Sequence, residues 1–492
     1  MTEKHINIPR SLRVLLNNAK KGNILSQFEI YDYYKREENN KEASNHLNLI
    51  NQSMSQARFI IKKLNLYEFR RYRELSIGLD KKLTVIIGEN GSGKTSIVES
   101  IARLLSWFSS RLIKSNSNGL HILESDIHIS ARDYSQVDGL FSLNEESNFN
   151  VSLVKSLKGW PGDISSHLQA TTQLGSLYRL LAASKENTQV QLPIFAFYGV
   201  ERAFTPPSRA VNDTELRAFF KSRFNAYTEY SDANTKIDIF LSRYIELFNL
   251  SEHSDNHYKE KLRLVNRAIE TAVPFIEKIG IDRSSGLTEV KLNNFTYRIN
   301  FHQLSQGQKI LAALVGDLCL RMLTLNPEMP NPLHAQGIVL IDEIELHLHP
   351  KWQQLILLSL TETFNNIQFI VTTHSPHVLS TVDKDNIRIL RSELDGVAYV
   401  EKPTFQTKGV ISSQVLEQLM ETHSIPMIEE SSWITTYQNM IEADKWETST
   451  EGQLLHTKLL SHFGSDHPVI KDLETRIRLR NFKRRVEKKL ED

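Results

Sequence analysis

Residues 83–95 read LTVIIGENGSGKT. The first five, Leu83 to Ile87, form a short apolar run with β-branched members, the pattern of a buried strand. The next eight, Gly88 to Thr95, match G-x-x-x-x-G-K-[ST], and SIVESIARLL (Ser96 to Leu105) continues with helical spacing. Strand, glycine-rich turn and helix start in this order make a cradle for phosphate. Glycines let the backbone curl until its N–H groups point inward at phosphate oxygens, and the helix adds the positive end of its dipole. Gly88, Glu89, Asn90, Gly91, Ser92, Gly93, Lys94, Thr95 and Ser96 are therefore the candidate nucleotide contacts. Lys94 carries a positive charge to the β- and γ-phosphates, and Thr95 offers a hydroxyl to Mg²⁺. A glycine-rich turn that binds nothing fits this context less well.

A magnesium-bound triphosphate needs a carboxylate, because Mg²⁺ takes oxygen ligands from one or two acids, phosphates and water. GIVLIDEIELHLHP (Gly337 to Pro350) supplies it: an apolar strand ends in the adjacent acids Asp342 and Glu343. Buried carboxylates cost several kcal/mol, of the order of 2–7, unless a cation or donor meets them. We assign Asp342 to the metal and Glu343 to the water that attacks the γ-phosphate. His347 and His349 stand at i, i+2 and read as turn residues rather than a zinc pair, since Cys319 is the only cysteine.

Two further stretches complete the pattern. LSQGQK (Leu304 to Lys309) precedes the amphipathic run ILAALVGDLCLRML, and VTTHSPHVLS (Val371 to Ser380) ends an apolar strand in His374. LSQGQ resembles the signature of the ABC ATPase superfamily, usually LSGGQ, with Gln306 in place of the first glycine. The resemblance implies that Ser305, Gly307 and Gln308 close on the γ-phosphate held by a second copy, giving two ATP molecules sandwiched in a head-to-tail dimer. It also implies that His374 is the switch histidine, touching the γ-phosphate or the attacking water. Lys94, Glu343 and His374 are thus the catalytic candidates, Thr95 and Asp342 the Mg²⁺ ligands. Gln136 and Asp126 compete for the glutamine-loop position, and Arg202 in YGVERA is a candidate for a phosphate, a dimer face or a surface ion pair.

LNLYEFRRYRELSIGLDKKLTVIIGENGSGKTSIVESIA is similar to the first lobe of the SMC, Rad50 and RecF branch of that superfamily. GIVLIDEIELHLHPKWQ and QFIVTTHSPHVLS are similar to its narrower OLD-like group, and the whole layout most resembles the PtuA ATPases of Septu and retron-associated antiphage systems. This resemblance implies an HNH-type nuclease partner of the PtuB kind, a reverse transcriptase with its RNA–DNA product as a further member, and nucleic acid engaged through the assembly. A homodimer or higher even oligomer is expected. No strand-Glu followed by D-x-D appears after residue 400, so no intrinsic nuclease is expected. The alternative is a RecF- or Rad50-like repair ATPase that binds DNA directly.

Composition sets the remaining bounds. The 492 residues carry a formal net charge of +1, so any nucleic-acid or membrane binding must come from a local patch. One cysteine excludes intramolecular disulfides and suits a reducing cytoplasm. The longest apolar run contains Asp317 and Arg321, and no membrane span or leader is expected. We expect an α/β ABC head split by a large insertion: a helical extension over 1–56, a first lobe over 57–140, a mixed, mainly helical insertion over 141–290 in which PIFAFYGV (Pro193 to Val200) reads as an apolar strand, a second lobe over 291–405 and a helical partner-binding region over 406–492. SEHSDNH (Ser251 to His257) reads as an exposed loop. The tail places Leu479, Phe482, Val486 and Leu490 on one stripe among Arg478, Arg480, Lys483, Arg484, Arg485, Lys488 and Lys489, to pack on its own body, dock a partner or lie along phosphates.

Overall fold

The computed structural model describes residues 10–160, 162–183, 190–203, 213–228, 237–253, 256–392, 397–420 and 428–491. It divides into two compact units, one ending at Ser412 and one beginning at Ser413. Among the described residues no helix is long and apolar enough to cross a membrane.

The first unit opens with α1 (Arg10–Lys20), α2 (Ile24–Arg36) and α3 (Asn40–Ser55). Asn23 caps α2 by accepting the Ser26 N–H at 2.9 Å. This helical extension is fastened to the body, because Ile24 N–H donates to Ser147 Oγ at 2.9 Å and Asn144 Nδ2 to Gly22 O at 3.0 Å. The chain then forms β1 (Ile60–Phe69), β2 (Tyr72–Gly78), β3 (Leu83–Gly88) and α4 (Lys94–Ile113). After it come β4 (Tyr134–Ser142), β5 (Asn148–Ser156), α5 (Gln169–Ala183) and β6 (Ile194–Tyr198).

The antiparallel sheet has the order β2-β1-β4-β5. Its pairing continues to Ser142↔Asn148, so the sheet does not stop at residue 140, where the sequence reading ended the first lobe. The residues taken as an insertion also supply β6 to the central sheet. Then come α6 (Asp213–Lys221), α7 (Ile237–His253) and α8 (Asn256–Ala272). The expected loop at SEHSDNH is corrected: helix persists through His253 and resumes at Asn256, with Ser251 buried. A small sheet, β7 (Ile276–Ile281), β8 (Thr288–Leu292) and β9 (Arg298–Asn300), leads into α9 (Gln306–Leu325). This helix is buried without interruption from Ile310 to Leu325, so the run expected to be amphipathic is covered on every side, and its two charges, Asp317 and Arg321, pair with each other at 2.7 Å.

The chain continues through β10 (Gly337–Ile341), α10 (Pro350–Gln353), α11 (Ile356–Thr363), β11 (Ile367–Thr372), α12 (Pro376–Leu379), β12 (Ile387–Ser392), β13 (Ala398–Glu401) and α13 (Ser412–Met420). The central sheet runs β13-β12-β3-β11-β10-β6, parallel except for β13. Its strands β3, β10 and β11 are apolar almost throughout, as a sheet covered on both faces requires. Gln368, fully buried on β11, joins the two large sheets by accepting Ile61 N–H and donating to Ile61 O and Asp80 O. Between the sheets and α4, the rings of Phe59, Phe108, Phe141 and Phe195 stack edge-on or tilted, with Phe59 5.0 Å from Phe108 and 5.1 Å from Phe195.

The second unit holds α14 (Glu429–Glu442), α15 (Thr450–Phe463) and α16 (Pro468–Glu491) around Tyr437, Ile441, Trp446, Leu455, Leu459, Ile470 and Leu473.

Candidate functional site

Parallel strands β3, β10 and β11 end side by side, and the candidate residues gather at those ends. Gly93 precedes α4 with φ +94°, and no side chain caps that helix start. A Cβ on Gly93 would stand 2.3 Å from Tyr72 Oη, so only glycine fits. Lys94 is buried, and its Nζ donates to Gly88 O and Glu89 O, each at 2.9 Å. Burial pulls the Lys94 pKa below the ordinary lysine range; Asp342, Glu343 and Glu345 act in the opposite direction and Arg71 adds to the lowering. Three acids and one lysine therefore share this small space.

Asp342 is buried at the end of β10, and its N–H donates to Tyr198 O on β6 at 2.9 Å. Its Oδ1 accepts the Thr372 hydroxyl proton, and the same hydroxyl oxygen accepts Glu343 N–H at 2.8 Å. One side chain on β11 thus fixes both acids. Glu343 has φ +48°, the left-handed region that a non-glycine residue enters at a cost of about 1–3 kcal/mol. Two residues on, Glu345 accepts Thr373 Oγ1–H at 2.7 Å and His374 N–H at 2.5 Å. Burial, then the positive charge of Lys94, lowers the His374 pKa below the ordinary histidine value, while Glu345 and Asp342 oppose the shift. The structure therefore brings Lys94, Asp342, Glu343 and His374 into one electrostatic neighbourhood.

Ser305 lies elsewhere on the surface, exposed, as the N-cap of α9. Its Oγ accepts Gln308 N–H at 3.4 Å, and Gln308 Oε1 accepts Ser305 N–H at 2.9 Å, a reciprocal capping box. Gly307 is buried, and a Cβ there would stand 2.1 Å from the carbonyl oxygen of His347. His347 and His349 are turn residues: His347 has φ +61°, and His349 caps α10 by accepting Lys351 N–H at 3.2 Å.

Both glutamine-loop candidates are engaged by partners within the chain. The Gln136 amide donates to both oxygens of Asp138, and buried Asp126 pairs with Arg70 and Arg103, each at 2.9 Å. The side chain of Arg202 lies outside the described residues. Sequence reasoning missed the β1–β2 turn, which bears directly on the phosphate loop. Tyr72 Oη donates to Ser92 O at 2.7 Å, Arg70 Nη1 to Ser96 Oγ at 3.4 Å, and the Arg71 side chain crosses Gly93. The paired arginines in EFRRYRE were the available signal. Thr372 and Glu345 were missed as well, although Glu345 stands in the quoted acidic stretch.

These residues fit a magnesium nucleotide. Lys94 and the uncapped N–H groups of α4 suit phosphate, Asp342 and the Thr95 hydroxyl are hard oxygen donors for Mg²⁺, and Arg71 adds positive charge beside the loop, the charge of Arg70 being met by Glu99 and Asp126.

Residues 83–380 match the family described as AAA domain, putative AbiEii toxin, Type IV TA system. The chain is 31% identical to the retron Vc95 probable ATPase of Vibrio cholerae, covering 86% of this chain and 91% of that one. It is 28% identical to the retron Ec83 probable ATPase of Escherichia coli, over 98% and 99% of the two chains. Identity to the Septu protein PtuA of Bacillus mycoides is 25%, over 80% of this chain and 48% of the other. The chain belongs to this AAA-domain family, as an ABC-type ATPase related to PtuA and to the retron ATPases.

Proposed function

We propose that this chain is a cytoplasmic ATP-driven switch that closes as a head-to-tail homodimer around two Mg²⁺-ATP and governs a partner nuclease in antiphage defence. The observation that carries the reading is the convergence of Lys94, Asp342, Glu343 and His374 at the ends of β3, β10 and β11, with Ser305 exposed on α9. Bound Mg²⁺ would supply Lewis-acid stabilisation of the γ-phosphate, held by Asp342 and Thr95. Lys94 neutralises phosphate charge. Glu343, fixed by Thr372, orients and deprotonates the attacking water, and His374, fixed by Glu345, donates its hydrogen bond where charge develops on the γ-phosphate. Ser305 and the backbone of Gly307 and Gln308 complete the partner's site.

ATP binding then favours the closed dimer and hydrolysis the open one, and that difference gates the bound enzyme. Similarity to retron and Septu proteins supports an HNH-type nuclease of the PtuB kind as the partner, with a reverse transcriptase and its RNA–DNA product in a retron assembly. The test is reconstitution with an HNH-type nuclease of the PtuB kind. Glu343→Gln should bind ATP, lock the dimer and hold the nuclease in a single state. A nuclease indifferent to Glu343→Gln and Lys94→Ala would overturn the reading.

A further inference from the structure

The chain's net charge is +1, yet between Glu474 and Glu487 it carries six Arg or Lys and no Asp or Glu. These residues lie on α16. The sequence left open whether the apolar stripe beside them packs on its own body. The helix turns a different face inward: Ile470 and Leu473 are buried in the core of the second unit, Ile477 packs against it, and Asp444 grips Arg480 at 2.8 and 3.0 Å and Arg484 at 3.5 Å. Leu479 and Phe482 are left 59% and 65% exposed. The side chains of Val486, Lys488, Lys489 and Leu490 lie outside the described residues.

At 100° per residue, Phe482 and Leu479 form the crest of the outward face. Arg478 and Arg485 flank one side of it, Arg476 and Lys483 the other; Arg476 and Arg478 also pair along the exposed helix with Asp472 at 2.8 Å and Glu474 at 3.6 Å, contacts that phosphates would replace. An exposed aromatic crest between two rails of positive charge matches a polyanion with stackable bases. A protein groove for Leu479 and Phe482 would need an acidic rim on both sides to meet the same four cations.

We propose that the outward face of α16 is a nucleic-acid-binding ridge: the four flanking cations take backbone phosphates and Phe482 stacks on an unpaired base. This goes beyond the ATPase reading and stands without it, because none of the candidate nucleotide residues lies in the second unit.

The test uses the full chain and fluorescence anisotropy with a labelled single strand and a duplex of about 20 nucleotides. Four phosphate contacts predict a loss of affinity for the single strand of about fifty-fold between roughly 50 and 200 mM salt. The combined variant R476Q/R478Q/K483Q/R485Q should flatten that salt dependence while leaving ATP turnover and the melting curve unchanged. Phe482→Ala should weaken the single strand about five-fold or more and spare the duplex. Lys94→Ala should leave binding intact, which separates this ridge from a nucleotide-gated surface on the ATPase unit. If the quadruple variant disturbs the helix, Lys483→Glu gives the same direction with a smaller loss, since Lys483 forms no ion pair among the described residues. Unchanged binding by the charge variants overturns the proposal. So does retained nucleic-acid binding with loss of a protein partner on co-purification, which would make the ridge a protein dock.

Discussion

Helices α4 and α9 both begin at residues proposed to meet the γ-phosphate, but their starts are built in opposite ways. The start of α4 has no side-chain cap: Gly93 leaves the first N–H groups open, and Lys94 beside them is buried among three acids. The start of α9 is satisfied by its own Ser305 and Gln308 and faces solvent. An uncapped end wants an anion from outside, whereas a self-capped end is stable when exposed and still has a serine hydroxyl proton to donate. The difference teaches how one chain can carry both the proposed nucleotide seat, open at α4, and a second surface on α9 that is stable before anything engages it.

The sharpest way to break this contrast is to remove the seat. Lys94→Ala should weaken ATP binding by about 100-fold or more, since hydrogen bonds to a charged group contribute about 1.5–3 kcal/mol each; titration with a fluorescent ATP analogue measures it. Glu343→Gln should keep binding and lower turnover by about two to three orders of magnitude, read in a phosphate-release assay. Ser305→Arg strikes the other helix start. It should abolish turnover while nucleotide still binds the separate chain. Mixing it with Lys94→Ala should then restore activity, because each mixed dimer regains one composite site. Full turnover by Ser305→Arg alone, or none in the mixture, would contradict the head-to-tail arrangement.

A subtler effect belongs to His374, the proposed switch histidine. Burial and Lys94 lower the His374 pKa, so its imidazole is neutral at pH 7. Turnover that uses the neutral ring should stay flat above the ordinary histidine value of 6.5 and fall only at more acidic pH. Glu345 acts to raise that pKa, so Glu345→Gln should move the acid limb to lower pH still, which a pH–rate profile would record. The smallest effect is expected for Gln308→Ala. Losing half of the capping box should cost about 0.5–1 kcal/mol of stability, seen in denaturant unfolding, with ATP binding to the separate chain preserved.

The phosphate loop, the acidic doublet and the strand-end histidine were legible because each is a local pattern, a strand followed within a few residues by the groups it presents. The α/β class followed from the same alternation. What stayed hidden depends on register between distant segments. Thr372 reaches Asp342 and Glu343 because β11 lies beside β10 with Ile341 opposite Val371. Glu345 stood in the quoted stretch with no role assigned, and the turn that follows left-handed Glu343 brings its carboxylate to the His374 N–H. The arginines of the β1–β2 turn pointed nowhere until that turn was folded over Gly93. PIFAFYGV was recognisable as a strand, but nothing local said that it would line up with β10 and so extend the central sheet. SEHSDNH looked like a loop from its polarity, yet Ser251 faces inward on α7 and the helix carries its polar neighbours along.

The close approach of Gly307 to the His347 carbonyl has a mechanical meaning. The turn that begins at Glu343 ends against the foot of α9, and an apolar layer of Ile310, Leu311 and Leu314 meets Ile344, Leu346 and Leu348 behind it. If a neighbour's nucleotide meets Ser305 as proposed, a tug there is felt at Glu343 of the same chain. In a two-fold pair this wires each active centre to its twin, so occupancy should be read as a count of two and the output should respond to ATP with a Hill coefficient above one.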